Sequence, residues 1–106
     1  MAIDYGKLAS DFGAARRKAV EAAVASGDDG GTCNLDACKV RIPRAHEQKV
    51  VAAAEAGGLR VWKSDRDFYV SAPVDGQGFL RTLQAEAIML VLREAGWDAR
   101  VSYVID

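Results

Sequence analysis

The segment from Gly78 to Ala95 has the three- to four-residue rhythm of a helix but almost no polar side. On a helical wheel only Thr82, Glu86 and Arg93 make a polar strip; Leu80, Leu83, Ile88, Met89, Leu90 and Leu92 surround the rest. A helix that is apolar over most of its circumference must be covered on more than one side. In a chain of 106 residues few elements are available to do so.

The other elements follow from periodicity and punctuation. Leu8, Phe12, Ala15, Ala19, Val20, Ala22 and Ala23 recur at helical spacing within a first helix over Asp4 to Ala25. Ser26 to Gly31 then interrupts all periodicity and reads as a linker. Thr32 to Ile42 reads as a strand whose apolar phase changes near Asp36-Ala37: Cys33 and Leu35 lie in one phase, Cys38, Val40 and Ile42 in the other. Pro43 suits the first position of a second helix, which carries Val50, Val51 and Ala54 and stops at Gly57-Gly58. Leu59–Lys63 and Phe68–Ala72 alternate about a polar turn and read as a hairpin. After the apolar helix, Asp98–Ile105 reads as a last strand rich in Val, Ile and Tyr.

The order after the first helix is strand, helix, strand, strand, helix, strand. Right-handed crossovers then favour an α+β, ferredoxin-like βαββαβ two-layer sandwich with sheet order 4-1-3-2. The whole of residues 1–106 makes one domain: a helix over 1–26, a Gly/Asp linker over 27–31 and the core over 32–106. The sheet covers one side of the apolar helix, and the first helix, which has no other partner, covers the second.

Composition narrows the function classes. Half of the residues are hydrophobic and 27% are charged, which is globular rather than disordered. The formal net charge of -1 gives no global attraction to nucleic acid or anionic lipid, so binding of either needs a local patch. No apolar run approaches the ~20 residues of a membrane span. Met1-Ala2-Ile3-Asp4 shows no signal-peptide pattern, so the expected location is the cytoplasm. Two cysteines make no disulfide framework; Cys33 and Cys38 on one straight strand would stand roughly 17 Å apart. Free thiols in a reducing compartment are the expectation.

The expected topology stacks the polar and glycine-rich clusters at one pole. Thr32, Asn34 and Asp36 come from the first strand, Gln77, Gly78, Arg81 and Thr82 from the start of the third helix, and Tyr103 and Asp106 from the C-terminal end. Backbone N–H groups at a helix start favour an anion, and Arg81 and Thr82 can add a guanidinium and a hydroxyl. The plainer alternatives are a tight turn capped by Gln77 and a buried polar network through Asn34 and Asp36. Gly31-Thr32-Cys33-Asn34-Leu35-Asp36, then Gly76-Gln77-Gly78-Phe79-Leu80-Arg81-Thr82 with Ala85-Glu86, and the Tyr-x-x-Asp end formed by Tyr103 and Asp106, resemble a family of small proteins of bacterial prophages and other mobile elements. The resemblance runs from Gly30 to Asp106 and leaves out the first helix. Members carry an aromatic where Leu35 stands and a proline near Cys38, and the second difference argues against Cys38 as an essential ligand. The family has no established activity, so the resemblance supports a site and implies no mechanism.

The outward face of the sheet is the rival site. With Leu59, Val61, Phe68 and Val70 pointing inward, Arg60, Trp62, Tyr69 and Ser71 point outward, and Lys39, Arg41 and Arg100 can join them. Aromatic and basic side chains on an open sheet suit stacked bases of single-stranded nucleic acid, although no RNA-recognition signature strand is present and a partly packed surface or a dimer contact is the plainer alternative. Cys33, Cys38 and His46 supply too few ligands for structural zinc, so no metal or cofactor is expected. No pair of residues forms a convincing nucleophile and base, so no catalytic residue is assigned. The leading expectation is a non-enzymatic protein that binds a host or phage macromolecule, with a counter-defence inhibitor of the anti-CRISPR type as one subclass. The alternatives are a small anionic ligand at the glycine-rich pole and single-stranded nucleic acid on the sheet.

Overall fold

The computed structural model describes residues 2–26, 36–75 and 79–103. They form α1 (Tyr5–Ser26), β1 (Ala37–Arg41), α2 (Glu47–Ala56), β2 (Val61–Ser64), β3 (Asp67–Val70), α3 (Phe79–Glu94) and β4 (Asp98–Ser102). The fold is mixed α+β, with one four-stranded sheet in the order β2-β3-β1-β4. Every neighbouring pair of strands is antiparallel. Counted from the other edge the order is 4-1-3-2, the one that right-handed crossovers favour.

Each helix ends where local chemistry stops it. Asp4 caps α1: its carboxylate accepts the Lys7 N–H at 2.9 Å and its carbonyl accepts the Leu8 N–H at 3.0 Å. Gly58 (φ +83°) ends α2, with the Leu59 N–H returning to the Ala54 carbonyl at 2.8 Å. Gly96 (φ +101°) ends α3 in the same way, with Trp97 N–H to the Leu92 carbonyl at 2.9 Å. The start of α2 differs from the sequence expectation. Pro43 opens a tight turn, closed by Ala45 N–H to the Ile42 carbonyl, and Arg44 takes φ +65°. That left-handed residue cannot continue a helix, so α2 begins at Glu47 with His46 as its N-cap.

Inward and outward residues alternate along the strands. Cys38 and Val40 on β1, Val61 on β2, Phe68 and Val70 on β3, and Ala99 on β4 are buried in one core with Val50, Ala54, Ile88 and Leu92 from the helices. Within that core α3 lies against β1 and β4, and α2 against β2. The first helix packs most extensively on α3 and next on α2. It contributes Leu8, Phe12, Ala15 and Ala19, all buried, so α3 is covered by the sheet on one side and by α1 on the other. Leu90, 56% exposed, marks the part of α3 that neither covers.

Polar contacts fix the position of α1. The Lys7 ammonium donates to the Asp11 carboxylate and to the Ala95 carbonyl, both at 2.7 Å, while the Trp97 indole N–H donates to Asp11 at 2.8 Å. Tyr5 accepts the His46 backbone N–H at 2.9 Å, tying α1 to the start of α2. No helix among the described residues is long and apolar enough to cross a membrane.

Where α1 meets the end of α2, the backbones nearly touch. A Cβ on Gly57 would stand 2.7 Å from the Gly13 amide nitrogen and 3.0 Å from the Ala9 carbonyl, whereas one on Gly13 would meet nothing nearer than 3.9 Å. The two glycines therefore have opposite expected responses in urea unfolding. Gly57→Ala is expected to cost about 1–3 kcal/mol through overpacking. Gly13→Ala, inside a helix and with room, is expected to stabilise by about 0.5–1 kcal/mol.

Candidate functional site

With the helices on one face, the outward residues of the sheet form regular rows. Strand register places Trp62 opposite Tyr69, Tyr69 opposite Lys39, and Lys39 opposite Arg100. A single row thus crosses the whole sheet in the order Trp62, Tyr69, Lys39, Arg100. The Trp62 and Tyr69 rings are nearly parallel, with centroids 5.8 Å apart and planes 17° from each other. Trp62 is 49% exposed, an unusual state for so large an apolar ring. Lys39 is half-buried at the centre of the sheet and has no ion pair among the described residues. Arg100 reaches back to Asp98 at 3.5 Å on an exposed surface, a weak contact.

The next row toward the β2–β3 turn holds Ser64, Asp67, Arg41 and Asp98. The Arg41 guanidinium donates to the Asp67 carboxylate at 3.2 Å. On the other side of the aromatic row, the Arg60 carbonyl accepts the Ser71 N–H at 2.9 Å, extending the hairpin by one more bond, and the Arg60 side chain is exposed.

A cleft of about 440 Å³ joins this face to the pole where β1 and α3 begin. Trp62, Tyr69 and Ser71 line it from the sheet; Asp36, Asp75 and Arg81 line it from the pole. Of the pole residues singled out in the sequence, Asp36, Arg81, Thr82 and Tyr103 are described, and Thr32, Asn34, Gln77, Gly78 and Asp106 lie outside the described residues. The Thr82 hydroxyl donates to the buried Asp36 carboxylate at 2.7 Å. The Tyr103 hydroxyl donates to Glu86 at 2.8 Å. That hydrogen bond, with the Glu86 and Asp36 charges acting in the same direction, holds the exposed phenol above its usual range. Arg81 is half-buried and has no ion pair among the described residues. The charged lining of the cleft is therefore two carboxylates, Asp36 and Asp75, and the Arg81 guanidinium, while Arg16 and Arg60 line a neighbouring hollow with Asp75.

A buried residue that the sequence reading missed shapes this pole. Gln84 is fully buried, and its amide is fully used: the oxygen accepts the Val74 N–H at 2.9 Å, and the nitrogen donates to the carbonyls of Val74 at 2.9 Å and Leu80 at 3.2 Å. The side chain does for Val74 what a neighbouring strand would do, clamping the loop after β3 onto α3. Its signal in the sequence was position: Gln84 stands four residues from both Leu80 and Ile88, on the apolar face.

The remaining candidates have structural explanations. Cys38 is buried on the inward face of β1, and burial pushes its thiol from 9.0 up to about 12, with Arg93 opposing weakly. A buried thiol so far from ionisation is a poor nucleophile at neutral pH. His46 is exposed beyond the far end of β1, and no group of three His, Cys, Asp or Glu among the described residues is placed to hold a metal ion. Cys33 lies outside the described residues. No protein-family model, curated protein or solved structure matches the chain.

Two measurements check these assignments. Gln84→Ala leaves the Val74 amide and carbonyl buried without their partner, and is expected to cost about 2–3 kcal/mol in urea unfolding and to speed exchange of the Val74 amide proton. In a Cys33→Ser chain, Cys38 is expected to resist alkylation at pH 8 until the protein unfolds. Because the folded thiol holds its proton longer than the unfolded one, its contribution to stability is complete below pH 9 and is lost as pH rises toward 12. Cys38→Ala should remove that alkaline slope.

Proposed function

We propose that this chain is a non-enzymatic binding protein that engages a host macromolecule through the open face of its sheet. The observation that carries this reading is the aromatic and basic row Trp62–Tyr69–Lys39–Arg100, left uncovered by described helices that all pack on the opposite face. Exposed Trp62 and Arg100 with half-buried Tyr69 in one patch are the residue types that anchor macromolecular interfaces. Rigid strands hold them in register, so little ordering is needed on binding.

The sheet face is preferred to the glycine-rich pole for an electrostatic reason. An anion in the cleft at the pole would meet Asp36 and Asp75 together with Arg81, whereas the sheet row has no carboxylate in it. The cleft between them extends the surface at the β2–β3 edge.

The resemblance to prophage and mobile-element proteins supports a host target, and counter-defence is one form such an activity takes. The strand order and the antiparallel pairings support reading the core as a ferredoxin-like split β-α-β unit with α1 added. The buried free thiol of Cys38 suits action in the reducing cytoplasm of the host.

A photo-crosslinking amino acid placed at position 64, exposed beside Trp62 on the sheet, and at position 24, on the exposed side of α1, tests this in the host cell. Discrete adducts are expected from position 64 and not from position 24. No adduct at 64, or the same adducts at both, would rule the sheet face out.

A further inference from the structure

Beside the aromatic row, the end of the sheet at the β2–β3 turn holds a second, unassigned concavity. It measures about 410 Å³, and its charged lining consists of Arg41, Arg44, Lys63 and Arg66, with no carboxylate. Two tight turns bring these cations together. One follows β1 and carries Arg44; the other joins β2 to β3 and carries Arg66 next to Asp65 at φ +57°. Both turns stand at the same end because Arg41 on β1 lies beside Asp67 on β3, which pairs with Ser64 on β2. Asp67 engages the Arg41 Nε, while Arg44, Lys63 and Arg66 have no ion pair among the described residues. Lys63 instead lies over the Phe68 ring at 5.8 Å. Four like charges around one hollow repel one another, and an anion seated there relieves that repulsion.

The basin wraps the end of the sheet: Lys63, paired with the buried Phe68, lies toward the helix side, and Arg41 lies on the side of the aromatic row. Arg41 lines the basin and is also the last outward residue of β1. Lys39, two residues earlier on the same face and so roughly 7 Å away, sits opposite Tyr69. Arg41 and Lys39 therefore lead from the basin to the pair of parallel aromatic rings, with Asp67 and Asp98 flanking Arg41. Asp65, Asp67 and Asp98 stand at the same end of the sheet, but none of them lines the basin itself.

We infer that the occupant of this surface is a single-stranded nucleic acid, with its phosphates in the basin of Arg41, Arg44, Lys63 and Arg66 and its bases stacked on Trp62 and Tyr69. The inference rests on the sheet-face reading above and adds the chemistry of the partner. A cationic track beside an aromatic platform is the combination that holds unpaired nucleotides, because every base offers a π-face and every linkage a charge. A duplex keeps its bases stacked within itself and cannot use the rings. An acidic peptide can fill the basin but has little use for them.

The test is fluorescence anisotropy of the full chain with labelled dT12 and U12, the matching duplexes and a dodecamer of glutamate, between 50 and 200 mM salt. Single strands are expected to bind more tightly than duplex or peptide, with a log–log salt slope of about -2 to -3 for three to four neutralised phosphates. The triple variant Arg44→Ala/Lys63→Ala/Arg66→Ala should weaken binding about tenfold or more and bring the slope about 2 closer to zero. Trp62→Ala should weaken binding about tenfold with the slope unchanged. All four substituted side chains are exposed, and circular dichroism checks that each variant folds. No oligonucleotide binding at 50 mM salt, tighter binding of duplex or peptide, or full binding by the triple variant would overturn the inference. The two proposals fail separately: a position-64 adduct whose size nuclease leaves unchanged keeps the sheet face and excludes nucleic acid, whereas the absence of any adduct removes both.

Discussion

The structure depends on covering a helix that has two apolar sides. In α3, Leu80, Ala85, Ile88 and Leu92 are buried, with half-buried Leu83, Met89 and Val91 around them. One sheet cannot bury so wide a surface, because a helix lying on a sheet keeps its far side in water. The second cover is α1, whose buried positions beyond Phe12 are all alanine: Ala15, Ala19 and Ala23. Small side chains allow a close approach, and the contact of Gly57 with Gly13 shows how near α1 comes to its neighbours. Lys7, Asp11 and Trp97 then set where along α3 the cover lies.

That solution has a consequence for the other side of the molecule. Once α1 is spent on α2 and α3, no described helix is left for the outer face of the sheet. The side chains there need not be apolar, and the strands carry lysine, arginine, aspartate and serine around the aromatic pair. Sheet register, a backbone property, aligns Trp62, Tyr69, Lys39 and Arg100 although they lie far apart in the chain. The same register brings two turns to one end and gathers their cations. The binding surface proposed here follows from the packing of the helices on the opposite face.

Features governed by nearest neighbours were legible. Helix ends at Gly58 and Gly96, the inward phase of Cys38 and Val40, and the hairpin alternation of Val61, Phe68 and Val70 follow from local spacing and backbone freedom. Pro43 misled because proline is equally suited to a turn, and the left-handed Arg44 after it postponed α2 to Glu47. Gln84 was overlooked because its value lies in bonds to Val74, ten residues earlier, which no helical wheel displays. The basin was invisible for the same reason: Arg44, Lys63 and Arg66 read as scattered polar turn residues until the strands placed their turns side by side. Of the pole, the Asp36–Thr82 and Tyr103–Glu86 contacts are described, and its glycine-rich segments lie outside the described residues.

By itself the sequence determined the α3 problem and most of its solution. Periodicity set which residues are apolar together, and the order of elements left one helix over to act as the second cover. Tertiary structure alone decided what the uncovered surface looks like. Side-chain period along a strand assigns each residue to a face, but only pairing between strands assigns its neighbours, and those neighbours make the aromatic row and the basic basin.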